Sequence, residues 1–91
     1  MLRISVVESE NGQTTLELEG QLIGPWIVEL ERLCTPLVRR GTPLNLDLRA
    51  VSFVGRDGVE LLCNLREQRV TIGDCSTFVL EQLKAGGMHG A

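Results

Sequence analysis

The chain has 91 residues and a formal net charge of −3 at pH 7, with 43% hydrophobic and 23% charged residues. This length fits one small domain with a modest core, and the composition is that of a folded chain rather than a disordered one. A mildly acidic chain without a basic stripe is not typical of a nucleic-acid-binding protein, because phosphate recognition needs clustered cations.

The first two predicted elements are the strands of a β-hairpin. Residues 3–8 and 14–20 are rich in β-forming side chains, and Asn11-Gly12 between them is the strongest short-range turn signal. Leucines alternate with polar residues in the second strand and again in a third strand that begins at Leu44. The polar positions of the two strands are Thr15, Glu17, Glu19, Asn45 and Asp47. One sheet face is therefore predicted to be apolar and the other polar, with the helices mainly on one face.

The first helix is predicted to begin at Pro25, since proline at the first helical position loses no hydrogen bond. Its inward side chains, at helical spacing, are predicted to be Trp26, Leu30, Leu33, Cys34 and Leu37. Pro36 removes a backbone donor late in this helix, so we expect a kink or an early end there. Gly41 is expected to close the segment.

The remaining elements are a helix, a short strand and a last helix. The second helix is predicted from Gly58 to about residue 68, with Val59, Leu62, Cys63 and Leu65 facing inward. Residues 69–73 form the short strand. The last helix spans about residues 75–84, with Phe78, Val79 and Leu83 inward. Asp74 and Ser76 are alternative N-caps for it.

This order of elements predicts a single α/β domain with a four-stranded mixed sheet. The strand, helix and strand between residues 44 and 72 can pair in parallel beside the antiparallel hairpin. We expect the domain to cover residues 1–85 and residues 86–91 to form a flexible C-terminal tail.

Metal, disulfide and membrane chemistry find little support in the sequence. Cys34, Cys63 and Cys75 are odd in number and include no C-x-x-C pair, and the single histidine, His89, lies in the tail. We expect the cysteines to be small buried apolar residues, and no metal site. No apolar run approaches the roughly 20 residues that span a bilayer, and no secretion signal is visible, so we expect a cytoplasmic protein without membrane insertion.

The segment LNLDLRAVSFVGRDGVELL, residues 44–62, together with the order of elements, resembles the STAS domain shared by sulfate transporters and bacterial anti-sigma factor antagonists. The matching positions are Asp47-Leu48, Val51, Phe53, Gly58 and Leu61-Leu62. The earlier LELEGQL, residues 16–22, is similar to the family's second strand. Gly24-Pro25-Trp26 and residues 29–31 are similar to small stand-alone STAS proteins. The resemblance covers roughly residues 3–85 and implies a STAS-like fold.

The family's regulatory motif is the part that differs. Phosphorylation-switched members carry Asp-Ser-Ser-Gly, and a partner kinase phosphorylates the first serine. Aligned without gaps, Gly55 stands at the aspartate, Arg56 at the phosphoacceptor serine and Asp57 at the second serine. The turn has no hydroxyl, and Ser52 is expected to face the sheet end rather than the helix start. The resemblance therefore implies a degenerate member with no phosphosite at the usual position.

Three interpretations of the turn at residues 55–58 stay open. Gly55 can be a structural residue with a backbone angle costly for other residues, and Asp57 can cap the next helix or lie in its first turn. The turn can instead be a partner-binding surface made of Gly55, Arg56, Asp57, Gly58 and Glu60. It can also bind an anion or nucleotide at the helix start, although GRDG lacks the glycines and lysine of a phosphate loop.

The leading functional prediction is a non-catalytic protein-interaction module in bacterial signal transduction and transcription regulation. No histidine or lysine is placed to activate a nucleophile, so no catalytic residue and no cofactor are predicted. The expected partner is an anti-sigma factor, a related kinase or another regulatory protein, and a homodimer is left open. The alternatives are a small-ligand or nucleotide-binding STAS module and an accessory subunit of an ABC-type lipid transporter.

Overall fold

A computed structural model of the chain describes residues 2–87. In chain order the elements are β1 (Leu2–Glu8), β2 (Thr14–Leu22), α1 (Pro25–Arg39), β3 (Leu44–Val54), α2 (Arg56–Glu67), β4 (Thr71–Cys75) and α3 (Thr77–Ala85). The predicted order of four strands and three helices is confirmed. Most of the predicted tail, including His89, lies outside the described residues.

The sheet is mixed, as predicted, with the strand order β1-β2-β3-β4. β1 and β2 form the antiparallel hairpin, and Gly12 in its turn has a φ of 85°, which glycine adopts at no steric cost. β2 pairs in parallel with β3, and β3 pairs in parallel with β4. Both parallel pairs are joined through a helix, so α1 ends where β3 begins and α2 begins where β3 ends.

The core lies on one face of the sheet, as the alternation of the strands predicts. The leucines of β2 and β3 are buried, and the central ones are fully covered: Leu16, Leu18, Leu46 and Leu48. The residues between them, such as Glu17 and Glu19, are exposed or half-buried on the other face. The period of two in these strands therefore separates the core from the polar surface.

Helix α1 begins at Pro25, after Gly24 with a φ of 57°, and packs Leu30 and Cys34 into the core. The expected early end at Pro36 is wrong, because the helix continues to Arg39. Proline removes one backbone hydrogen bond, whereas half-buried residues on both sides of it still pack against the core. The inward position predicted for Leu33 is also wrong, since 41% of this residue is exposed. Gly41, with a φ of 75°, closes the segment as predicted.

The last strand begins two residues later than predicted, because residues 68–70 close α2 instead of extending β4. Arg69 has a left-handed backbone with a φ of 72°, and the Val70 N–H donates to the Leu65 carbonyl at 3.0 Å. This is the hydrogen-bond pattern that ends many helices, usually with glycine at the left-handed residue. Ser76, and not Asp74, caps α3, because its side chain accepts a hydrogen bond from the Val79 N–H at 3.2 Å.

One glutamine side chain docks α3 beside the end of β3. β4 pairs with β3 only as far as Leu48, so the final residues of β3 have no strand neighbour on that side. There the Gln82 amide oxygen accepts from the Val54 N–H at 3.0 Å, and its nitrogen donates to the Val54 carbonyl at 2.9 Å. Gln82 thus supplies the pair of bonds that a neighbouring strand would supply.

Candidate functional site

The turn that carries the predicted site joins the end of β3 to the start of α2. Gly55 is the N-cap residue of α2, and its φ of −74° and ψ of 169° are ordinary extended values. The expectation that Gly55 takes an angle costly for other residues is therefore wrong. Its N–H donates to the Leu22 carbonyl at 2.9 Å, which ties the turn to the end of β2.

Gly58 is the glycine that the structure requires, because α2 approaches the strand ends closely at this residue. A Cβ added to Gly58 would lie 2.9 Å from Cγ1 of Val54 and 3.0 Å from the Leu22 carbonyl oxygen. Gly58 is buried in the second half of the first turn of α2. Its absent side chain lets the helix begin directly over the ends of β2 and β3.

The charged residues of the turn lie on its outer side. Arg56 is the first residue of α2, and Arg56, Asp57 and Glu60 are all exposed. No side chain caps the helix, so Asp57 lies in the first turn, where a carboxylate is favoured by the helix dipole. Within residues 2–87 the side chains of these three residues make no hydrogen bond or ion pair, whereas Arg32 pairs with Glu29 and Arg49 with Asp47.

The nearest hydroxyl to the turn along the chain is that of Ser52, near the end of β3. It donates to the Gly20 carbonyl at 3.3 Å, so it is directed across the sheet toward β2. The residue that occupies the first helical position is Arg56.

A groove between α2 and α3 lies beside the turn, and sequence reasoning did not find it. It has a volume of about 540 Å³ and is lined by Val54, Arg56, Val59, Glu60, Gln82, Ala85 and Gly86. The helices approach closely at its far end, where a Cβ on Gly86 would lie 2.3 Å from Cγ1 of Val59. The groove is thus lined by aliphatic side chains, among them Val54 and Val59, and by Arg56 and Glu60, which lie one helical turn apart on α2.

Phe53 and Phe78 form an exposed aromatic pair next to this groove. Their ring centroids are 6.4 Å apart with an interplanar angle of 32°, and 39% of Phe53 and 58% of Phe78 are exposed. The inward position predicted for Phe78 is wrong, because α3 buries Val79 and Leu83 and the docking of Gln82 fixes its rotation. The spacing of Val79 and Leu83 was the available signal, since residues four apart share one helix face.

The polar face of the sheet carries another concave surface, of about 240 Å³, beside the Arg49–Asp47 ion pair. The Arg49 guanidinium donates to Asp47 at 2.8 Å, and this hydrogen bond lowers the pKa of the Asp47 carboxyl below its usual value. Glu17 and Asp47 are register partners in β2 and β3. The pair with Arg49 offsets the repulsion expected between these two carboxylates.

The three cysteines are free thiols, and they are buried to different degrees. Cys34 is fully buried, and this burial raises the pKa of its thiol to about 11. Cys63 and Cys75 are half-buried and pack against the core, so full burial holds for Cys34 alone. Within residues 2–87 no group of histidine, cysteine and carboxylate side chains is arranged to hold a metal ion. In the same part of the chain no helix is long and apolar enough to cross a membrane.

Comparison with known proteins places the fold in a defined class. No protein-family model matches the sequence, and no curated protein is significantly similar to it. Thirteen chains of solved structures do match. The four-stranded mixed sheet with three helices is the STAS fold, and the STAS-like fold predicted from the sequence is confirmed.

Two of the matching structures are anti-sigma factor antagonists. The structure of SpoIIAA in its unphosphorylated form superposes with a TM-score of 0.71 and 16% sequence identity, over 98% of this chain and 90% of that chain. The crystal structure of an antisigma-factor antagonist STAS domain from Rhodobacter sphaeroides gives a TM-score of 0.52 and 15% identity, over 78% of this chain and 82% of that chain.

Proposed function

We propose that this chain is a non-catalytic protein-interaction module in bacterial regulation, working in the cytoplasm. It engages a regulatory protein, such as an anti-sigma factor or a related kinase, through the exposed start of α2. The observation that carries the proposal is that different residues of the turn provide its packing and its exposed charges. Gly58 accounts for the packing, whereas Arg56, Asp57 and Glu60 are exposed without a partner in residues 2–87.

The STAS fold supports this proposal, since two proteins with the same fold are anti-sigma factor antagonists. Arg56 stands where the family carries its phosphoacceptor serine, so we propose that phosphorylation of this residue does not control the interaction. Charged side chains at an interface mainly set the orientation of the partner and the association rate, and contribute less to affinity. We propose this role for the adjacent cation and anion, Arg56 and Asp57.

Affinity capture from a lysate of the native bacterium tests the proposal. The tagged protein should recover a defined regulatory protein, and Arg56→Glu should weaken that capture without lowering the melting temperature, because Arg56 is exposed. Arg40→Glu is the matched control. Arg40 is also exposed, and it lies at the other end of the 11-residue strand β3, roughly 30 Å away.

Two results would count against the proposal. Equal capture by the wild type and by Arg56→Glu would remove the turn from the interface. Thermal stabilisation by nucleotides at millimolar concentration, with no captured protein, would favour the small-ligand alternative, because a ligand of the native state adds RT ln(1 + [L]/Kd) to stability. Recovery of a transporter ATPase would favour the accessory-subunit alternative.

A further inference from the structure

The exposed aromatic pair Phe53 and Phe78 is the least expected feature of this surface. These are the only two phenylalanines among the 91 residues, and both are exposed while the core is built from leucine and valine. Large apolar side chains that touch each other on the surface mark sites of interaction more often than isolated ones do. The fold therefore leaves its phenylalanine rings available for contact.

The aromatic pair lies next to two of the residues that line the groove, Val54 and Gln82. Phe53 immediately precedes Val54, whose backbone is hydrogen-bonded to the Gln82 side chain. Phe78 lies one helical turn before Gln82. Val54 and Gln82 also line the groove, whose wall carries Arg56. Arg56 is three positions after Phe53 in the chain, so their Cα atoms are at most about 11 Å apart. The rings and the arginine can thus contact a single short segment of a partner.

The backbone beneath this surface is fixed before any partner arrives. Gln82 makes two hydrogen bonds to Val54, and Ser76 caps the helix that carries Phe78. Binding groups on well-anchored elements lose little conformational freedom on association, which favours affinity.

Area and charge together indicate what binds here. The two rings expose roughly 190 Å², taking about 200 Å² for a whole phenylalanine, against the roughly 800 Å² per partner of a stable interface. Two copies that met on these rings alone would not form a stable dimer. Arg56 is the one cation lining the groove within residues 2–87, and it lies at the positive end of α2. Glu60, one helical turn later, disfavours a second carboxylate in the bound segment.

We infer that the aromatic pair and the groove bind a short segment of a partner protein that carries a large apolar side chain beside a single carboxylate. The apolar side chain covers the rings of Phe53 and Phe78, and the carboxylate pairs with Arg56. This inference rests on the proposed function and specifies the partner's chemistry.

Selection from a displayed library of random 12-residue peptides on the immobilised full chain provides the test. Enriched peptides should share an aromatic or large aliphatic residue within two positions of one aspartate or glutamate. A synthetic peptide of the enriched sequence should bind Phe78→Ser at least tenfold more weakly, as expected for a hot-spot residue. Arg56→Glu should also bind it more weakly, and exchanging the peptide's acid for lysine should restore part of that loss.

Val28→Ser is the matched control, because it removes an apolar side chain of similar exposure from α1 and should leave peptide affinity unchanged. Phe53→Thr is the second variant, and it removes the other ring while keeping a residue favoured in strands. No enriched motif, or equal binding by the wild type and both phenylalanine variants, would overturn the inference. A dimer that Phe78→Ser converts to monomer would also overturn it, because the occupant would then be a second copy.

The two proposals can fail separately. If Arg56→Glu abolishes capture of the cellular partner and Phe78→Ser does not, and no peptide motif emerges, the inference fails and the proposed function stands. If the peptide motif emerges and depends on Phe78 while no regulatory protein is captured, the proposed function fails and the recognition chemistry stands.

Discussion

Replacing Gly58 with alanine should destabilise the protein, although alanine is the better helix former. The exchange in a helix usually stabilises by about 0.5–1 kcal/mol. Here the added Cβ would lie 3.0 Å from the Leu22 carbonyl oxygen, which is held by its hydrogen bond from Gly55, and 2.9 Å from Cγ1 of Val54. Overpacking costs about 1–3 kcal/mol. The free energy of unfolding should therefore fall by about 1–2 kcal/mol.

Urea unfolding followed by circular dichroism at 222 nm measures this change, with the thermal midpoint as a second readout. In a domain this small, each kcal/mol lost from the free energy of unfolding should lower the melting temperature by about 4–8 °C. Gly55→Ala should cost less, because its added Cβ would make one tight contact, at 3.2 Å to the Ile23 Cγ2 methyl group, and would lie 3.7 Å from the nearest backbone atom. Asn64→Ala, exposed in the same helix, should gain a few tenths of a kcal/mol.

Stability of Gly58→Ala at or above that of the wild type would refute the reasoning. It would mean that α2 can move away from the strand ends without loss, and that the turn is not fixed by the packing of Gly58. A Gly55→Ala loss larger than the Gly58→Ala loss would refute the assignment of the two glycines.

Two further changes test contacts that hold the groove and the end of α2. Gln82→Leu removes both bonds to Val54 at similar volume and should lower the free energy of unfolding by about 2 kcal/mol in urea titration; a loss below about 0.5 kcal/mol would mean that water replaces the amide without cost. Arg69→Gly should raise the free energy of unfolding by about 0.5 kcal/mol, because relief of the left-handed backbone outweighs the added freedom of the unfolded chain. Arg69→Ala keeps the strain and should show no gain; an equal gain would attribute the effect to loss of the arginine side chain.

Sequence reasoning recovered those parts of the fold that depend on local patterns. The alternating leucines of β2 and β3 place the core on one sheet face, and Asn11-Gly12 places the hairpin turn, because both signals act over two to four residues. It was wrong about an early end at Pro36, where packing on both sides of the proline holds the helix together. It was also wrong at residues 69 and 70, where the turn that ends α2 takes residues assigned to β4.

The candidate site was predictable only in part. The resemblance to the STAS family placed the turn at the end of β3, where the structure has it. It did not separate Gly55 from Gly58, since that difference lies in the approach of α2 to Leu22 and Val54. The groove and the exposed face of Phe78 depend on the bonds between Gln82 and Val54, 28 residues apart in the chain, and no local pattern encodes such a contact.

The packed residue of the turn, Gly58, and its exposed residue, Arg56, are different residues. Packing and partner recognition can therefore be measured independently. If the turn were only a bend, a substitution at Gly58 would lower stability and one at Arg56 would not, since Gly58 is packed and Arg56 is exposed. The substitution at Arg56 would then leave binding unchanged as well. If the turn also recognises a partner, Arg56→Glu changes binding with little effect on stability. An effect on binding without a loss of stability therefore identifies recognition, whereas the two effects together would indicate only a disturbed fold.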